Sequence, residues 1–348
     1  MEKNEVKAVH YNWGMAVLRV IMCFMVVLCH YWDALNYQGI LRFVSWMRVF
    51  AVSVFMLMSF VLVQKTLVSH DKGKIINRFK RLLIPQIGWT LIYWVAYYII
   101  GRLSNLQLEN GIKDMVYQMM FGHSQYLNPS MWYQVDLIYI TLFFLIVIIF
   151  CKKSYECVIW SLALVAWIIQ YTGVNMIWNN LPFEIKYPVG RFAEMIPIAS
   201  IGFILASKNI LEKMKKHKNI VAVSAIVLIA LIYKYDVFSE LNGYGYQGIK
   251  QSVVAFAVLC LFYVMPFEVI EKYDNIKKVV AFISNYTLGI YCMHRCVGTF
   301  ITIAIQHWGL GVSINSFEGC IIIYCVSFII AAIGNAIFKK TSLGALFN

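Results

Sequence analysis

Apolar residues run through this chain in long stretches separated by short polar segments. Ten such stretches cover about 13–33, 46–64, 82–101, 131–150, 155–172, 192–207, 219–233, 249–266, 281–305 and 317–338. A helix needs about 20 mostly apolar residues to cross bilayer hydrocarbon. The pattern therefore predicts an all-α fold, a polytopic transmembrane helical bundle of about ten spanning helices. The sixth and seventh stretches are the shortest, and the count depends most on them. Residues 1–348 read as a single integral-membrane domain without an internal repeat. No small-residue cleavage site follows the first stretch, so it is expected to be retained as the first helix.

The polar segments set a direction. Lys3 and Lys7 precede the first stretch, and Lys65, Lys72, Lys74, Arg78, Lys80 and Arg81 follow the second. Basic residues return at Lys152 and Lys153, between Lys208 and Lys218, at Lys272, Lys277 and Lys278, and at Lys339 and Lys340. The intervening loops hold fewer, accompanied by Glu109, Asp114, Asp236 and Glu240. This alternation predicts an even number of spans with both termini cytoplasmic. It also disposes of nucleic acid as a partner: the net charge of +13 is spent in alternate loops and leaves no basic groove. The long segments 102–130 and 173–191 contain Gly and Pro and read as irregular or half-inserted. Their aromatic residues, Tyr126, Trp132, Tyr133, Trp178 and Phe183, are either interfacial anchors or a platform for a sugar or lipid acceptor.

Composition agrees with a bilayer solvent. The chain is 61% hydrophobic and only 14% charged, against about a quarter charged in an ordinary soluble domain. Of nine cysteines, Cys23, Cys29, Cys260, Cys292, Cys320 and Cys325 fall within apolar runs, where a thiol packs as a small hydrophobe. The cluster Cys292-Met293-His294-Arg295-Cys296 lacks zinc-site spacing, so no metal is expected.

Ionisable residues inside the spans are costly and therefore candidates for function. The first helix carries Arg19 and His30, on nearly one face and about 16 Å apart along the axis. Asp33, one turn beyond, could orient His30. Snorkelling to headgroups is the alternative for Arg19, and interfacial placement the alternative for His30. Arg78 and Arg81 share a face if the third helix begins there, and guanidinium forks suit phosphate. Ordinary loop charge is the alternative for them. His294, in the ninth stretch after Tyr291, is either functional or hydrogen-bonded within the bundle.

Together these residues resemble the acyltransferase type 3 family of bacterial membrane O-acyltransferases. Leu18-Arg19 followed by His30 reproduces that family's Arg and His spacing in the first helix. Arg78-x-x-Arg81 with Leu82-Leu83-Ile84-Pro85, the pair Trp132-Tyr133, and Thr287-Leu288-Gly289-Ile290-Tyr291 with His294 match further motifs in order. Two positions depart. Ala16 and Val17 stand where the family often has an acid before Leu-Arg, so any ion pair for Arg19 comes from elsewhere. Phe55-Met56-Leu57-Met58-Ser59-Phe60 keeps a serine but lacks the glycine that close helix packing would use there.

The resemblance implies transfer of an acyl group, acetyl in the first instance, from cytoplasmic acyl-CoA to a hydroxyl of a carbohydrate or lipid-linked glycan. The catalytic residues it implies are His30, as general base, and Arg19. Arg78 and Arg81 would bind acyl-CoA, with Asp33, Trp132, Tyr133, Tyr291 and His294 supporting the site. No cofactor is held permanently; acyl-CoA is a donor substrate, and the setting is the bacterial cell membrane with its lipids. A transporter or exporter of a small acyl or sugar-linked substrate is the rival, because intramembrane Arg and His also serve proton-coupled transport.

Overall fold

In a computed structural model the chain is all helical, described over residues 12–32, 38–103, 111–123, 128–172, 182–239, 249–309 and 313–347. The first helices are α1 (Trp13–Tyr31), α2 (Ile40–Arg48), α3 (Ala51–Val68), α4 (Lys72–Leu103) and α5 (Ile112–Phe121). Then come α6 (Trp132–Cys151), α7 (Tyr155–Thr172), α8 (Phe183–Ser207), α9 (Ile210–Lys215) and α10 (Lys218–Ser239). The series ends with α11 (Ile249–Val264), α12 (Asp274–Asn285), α13 (Thr287–His307) and α14 (Phe317–Phe338). All ten apolar stretches fall on helix.

Among the described residues eight helical stretches are long and apolar enough to cross a membrane, and the protein is a multi-pass membrane protein by that measure. The difference from the ten expected has two causes. One stretch, Pro129–Ile169, contains both α6 and α7, which part at Lys152 with its positive φ of 47°. The other is α11, apolar but only 16 residues long.

The two shortest apolar runs gained length. The sixth is the end of α8, 25 residues long with Pro188 and Pro197 inside it, so half of the segment expected to be irregular is helix. The seventh is α10, with 22 residues. The segment 102–130 likewise contains α5, packed on α4 and α6. Polar residues at the start of α4 hide its true extent: it begins at Lys72 and runs 32 residues, so Arg78 and Arg81 are already helical.

Outward faces are apolar, as lipid contact requires: Leu164, Val165 and Ile168 on α7, Ile220 and Val223 on α10, Ile329 and Ile333 on α14. Helices inside a bilayer gain little from excluding water, so close packing has to hold them. One close approach is between α3 and α8. A Cβ on Gly202 would lie 2.3 Å from the Leu57 carbonyl oxygen. The glycine missing from α3 is thus supplied by the helix facing it. Phe60, Phe144 and Phe203 stack edge to face beside this contact.

One turn of α13 is opened by side chains from three other segments. The Tyr93 hydroxyl, from α4, donates to the Cys292 carbonyl (3.0 Å) and accepts from the Cys296 N–H (2.8 Å), standing between two groups that an α-helix would pair. Asn128 Nδ2 donates to the same Cys292 carbonyl at 3.2 Å. From α1, the Tyr31 hydroxyl meets the carbonyls of His294 (3.3 Å) and Arg295 (3.1 Å). Gly298 makes room for it, since a Cβ there would be 2.2 Å from the Tyr31 hydroxyl. The turn bearing His294 is therefore pinned by α1, α4 and the approach to α6.

The last turn, Ser342–Leu346, folds back onto the bundle. Trp89 Nε1 donates to the Leu346 carbonyl at 2.8 Å, and Phe347 packs between Trp89 and Phe338.

Two substitutions test this packing. Gly202→Ala should destabilise the protein by about 1–3 kcal/mol, because the clash is with backbone; an unchanged midpoint in detergent thermal unfolding would contradict the α3–α8 approach. Tyr93→Phe removes the hydroxyl serving the buried Cys296 N–H. It should cost about 1–3 kcal/mol by the same measurement.

Candidate active site

His30 lies in the last turn of α1, and its Nε2 is 3.1 Å from the Ser130 hydroxyl. Ser130 owes its place to Asn128-Pro129. Asn128 caps the turn before α6, its side-chain oxygen accepting from the Ser130 N–H at 3.0 Å, and Pro129 presets the first φ. The Tyr291 hydroxyl donates to the Ser130 carbonyl. Ser130 is buried with both main-chain groups fixed, and its hydroxyl is turned to the imidazole.

His294 stands beside this pair, its ring 5.2 Å from that of His30. Its Nδ1 is 2.6 Å from the Tyr291 carbonyl. A carbonyl only accepts, so Nδ1 carries the proton and Nε2 is left as an acceptor. That Nε2 is buried and has no hydrogen-bond partner among the described residues.

Two arginines surround the histidines. Arg48 is buried and donates to the carbonyls of Leu28 (3.1 Å) and Trp32 (2.5 Å), satisfying the end of α1 next to His30. Arg295 lies over the Tyr31 ring at 5.6 Å. Both guanidinium charges act on His30. A small recess opens here, lined by Val26, Cys29, His30, Val52, Ser130, Trp132 and Tyr291. His30 is exposed by area and is one of the residues lining this recess. A base, a hydroxyl, a second acceptor nitrogen and a positive field thus converge on one small space. Those are the parts of a site that moves a proton from a hydroxyl and stabilises an oxyanion.

A second polar layer adjoins the first. Arg78 interacts electrostatically with Arg19, Arg81 and Tyr133, and Tyr133 with Arg19. Nε and Nη2 of Arg78 are buried and lack hydrogen-bond partners among the described residues. Tyr133 links the layers: its hydroxyl is 3.4 Å from Ser59 Oγ, and its ring meets that of Tyr291 at 5.6 Å. On the far side of Trp132, the Arg191 guanidinium covers the indole at 4.8 Å and pairs with Glu194 at 3.0 Å. Asp136 is buried within reach of these charges, and its Oδ2 has no hydrogen-bond partner among the described residues. Outside the spans, His123 has its pKa lowered, by burial first and by the Arg191 charge second.

The residues expected from the sequence divide accordingly. His30, Trp132 and Tyr291 line the recess and His294 adjoins it. Arg19, Arg78 and Tyr133 form the second layer, while Arg81 is exposed beside it. Asp33, Tyr126 and Trp178 lie outside the described residues. Sequence reasoning passed over Ser130, Asn128, Arg48 and Arg295. Asn128-Pro129-Ser130 marks a helix start, and nothing in that cap shows that a histidine faces its serine. Arg48, at the start of the second stretch, reads as loop charge; Arg295 lies inside the ninth stretch, and the cost of a charge within a span was its signal.

Known proteins were compared with the chain as a whole. The sequence profile of the acyltransferase 3 family, described as an acyltransferase domain, matches residues 12–336. No curated protein and no solved structure matches. The profile runs from the cap of α1 nearly to the end of α14 and includes both polar layers. The chain belongs to the acyltransferase 3 family and is a membrane-bound acyltransferase.

Proposed function

We propose that this acyltransferase moves an acyl group, acetyl in the first instance, from cytoplasmic acyl-CoA to a hydroxyl of a carbohydrate or cell-envelope acceptor. The observation that carries this reading is the His30–Ser130 contact at 3.1 Å, facing a recess and adjoining the Arg78 layer. Histidine is suited to take the proton of a hydroxyl near neutral pH. The unpartnered donors of Arg78, with Arg19 beside it and Arg81 at the surface, suit the phosphates of CoA. The donor's acyl end then reaches along α1 toward His30, about 16 Å from Arg19. Trp132 offers its indole as one wall for the acceptor. Nothing in this reading needs a permanently bound cofactor.

Counting α6 and α7 separately and including α11 gives ten crossings, which puts both termini on one side. The basic loops make that side the cytoplasm of a bacterial cell. The Arg78 layer then faces the donor's compartment, and the His30 end lies toward the acceptor.

His30→Ala should slow acyl transfer from acyl-CoA by about 10²–10⁴-fold in purified protein; undiminished transfer would remove His30 as the base. Arg78→Ala should weaken CoA binding by about tenfold or more, measured by titration calorimetry, since charge-assisted bonds contribute roughly 1.5–3 kcal/mol. Deleting the gene should remove one O-acyl signal from the NMR spectrum of the cell-surface glycans. Acceptor-dependent release of free CoA separates this reading from export, which releases none.

A further inference from the structure

We propose that Ser130 is a catalytic nucleophile that carries the acyl group between donor and acceptor, so that the reaction is a double displacement. This rests on the acyl-CoA to hydroxyl reading above. Ser130 Oγ is 3.1 Å from His30 Nε2, the distance at which a nucleophile meets its base. Direct attack by an acceptor hydroxyl would require that hydroxyl to sit where Ser130 Oγ already sits.

Three further observations agree. Main-chain groups of Ser130 are held by Asn128 and Tyr291, so the hydroxyl is presented on a fixed backbone. The recess beside Ser130 is small, with room for about one water molecule. Donor and acceptor reacting ends fit it more readily in turn than together. Finally, Arg48 at the end of α1 and Arg295 over the Tyr31 ring place two positive charges near the recess in which the oxyanion of either half-reaction forms.

In the first half, His30 Nε2 takes the Ser130 proton, Oγ bonds to the acyl carbon, and the carbon–sulfur bond breaks. The CoA thiolate receives that proton and leaves as the thiol. In the second half, the acceptor hydroxyl gives its proton to His30 and its oxygen bonds to the acyl carbon. The bond to Oγ breaks, and Ser130 recovers its proton from His30. The net change is thioester plus alcohol to ester plus thiol, with no other reactant.

The test uses the full chain in nanodiscs, with acetyl-CoA as the probe. Without any acceptor, the wild type should exchange labelled free CoA into acetyl-CoA, and an acid-quenched digest should carry acetyl on the Ser130 peptide. Ser130→Ala should lower the exchange by about a hundredfold or more. In Ser130→Cys the introduced thiol should be acetylated, as a thioester cleaved by neutral hydroxylamine. That readout does not depend on the alanine variant folding. Persistent exchange in Ser130→Ala overturns the proposal, as does an unacetylated thiol in Ser130→Cys. Wild-type protein that transfers acetyl to an envelope fraction yet shows no exchange overturns this proposal alone. Wild-type protein that neither transfers acetyl nor releases CoA overturns the donor reading and this proposal with it.

Discussion

Bilayer hydrocarbon offers no water to complete a hydrogen bond, so each polar group inside the bundle has to be matched by another part of the chain. Much of this architecture follows from that constraint. Tyr93, Tyr31 and Asn128 supply hydroxyl and amide groups to the opened turn of α13. Arg48 does the same for the end of α1. Gln134 Nε2 donates to the Leu82 carbonyl, in the turn of α4 that Pro85 disturbs. Among the described residues some buried atoms stay unmatched, and they are scattered: Ser252 Oγ, Ser327 Oγ and Gln118 Oε1 lie on different helices, Asp136 Oδ2 lies beside Arg191, and Nε2 of His294 and Nε and Nη2 of Arg78 lie at the site. Leaving a buried polar group unmatched costs on the order of 1–3 kcal/mol. Those of His294 and Arg78 are the ones that a substrate in the recess and the layer beside it would complete.

Tyr133 and Tyr291 tie those two regions into one apparatus. Tyr291 donates to the backbone of Ser130, and its carbonyl fixes the tautomer of His294. Tyr133 meets Tyr291 ring to ring and senses the charges of Arg78 and Arg19. Both are held by packing as well as by polar contacts, which keeps a small site in register.

The sequence made the helices legible because hydropathy speaks directly to bilayer thickness. It was least informative at element ends. Polar residues at the start of α4 hid a helix that begins at Lys72, and Pro188 suggested a loop where α8 continues. Of the site, the costly residues were visible: His30, Arg19 and His294 each fall within an apolar stretch. Ser130 was not, because a serine in a capping turn looks the same whether or not a histidine faces it. The missing glycine of α3 was also opaque, since close approach needs one small residue on either helix, and Gly202 is about 145 positions away in the sequence.

The returning C-terminal turn has a consequence for biogenesis. Trp89 waits for the Leu346 carbonyl, which is 257 residues later in the chain. During synthesis α4 enters the membrane with that indole donor unmet, and the gap that Phe347 fills beside Trp89 and Phe338 stays open. This part of the α4 packing therefore has to wait until residues 342–347 have been made. The join between α4 and the turn after α14 forms late in synthesis rather than with the insertion of α4.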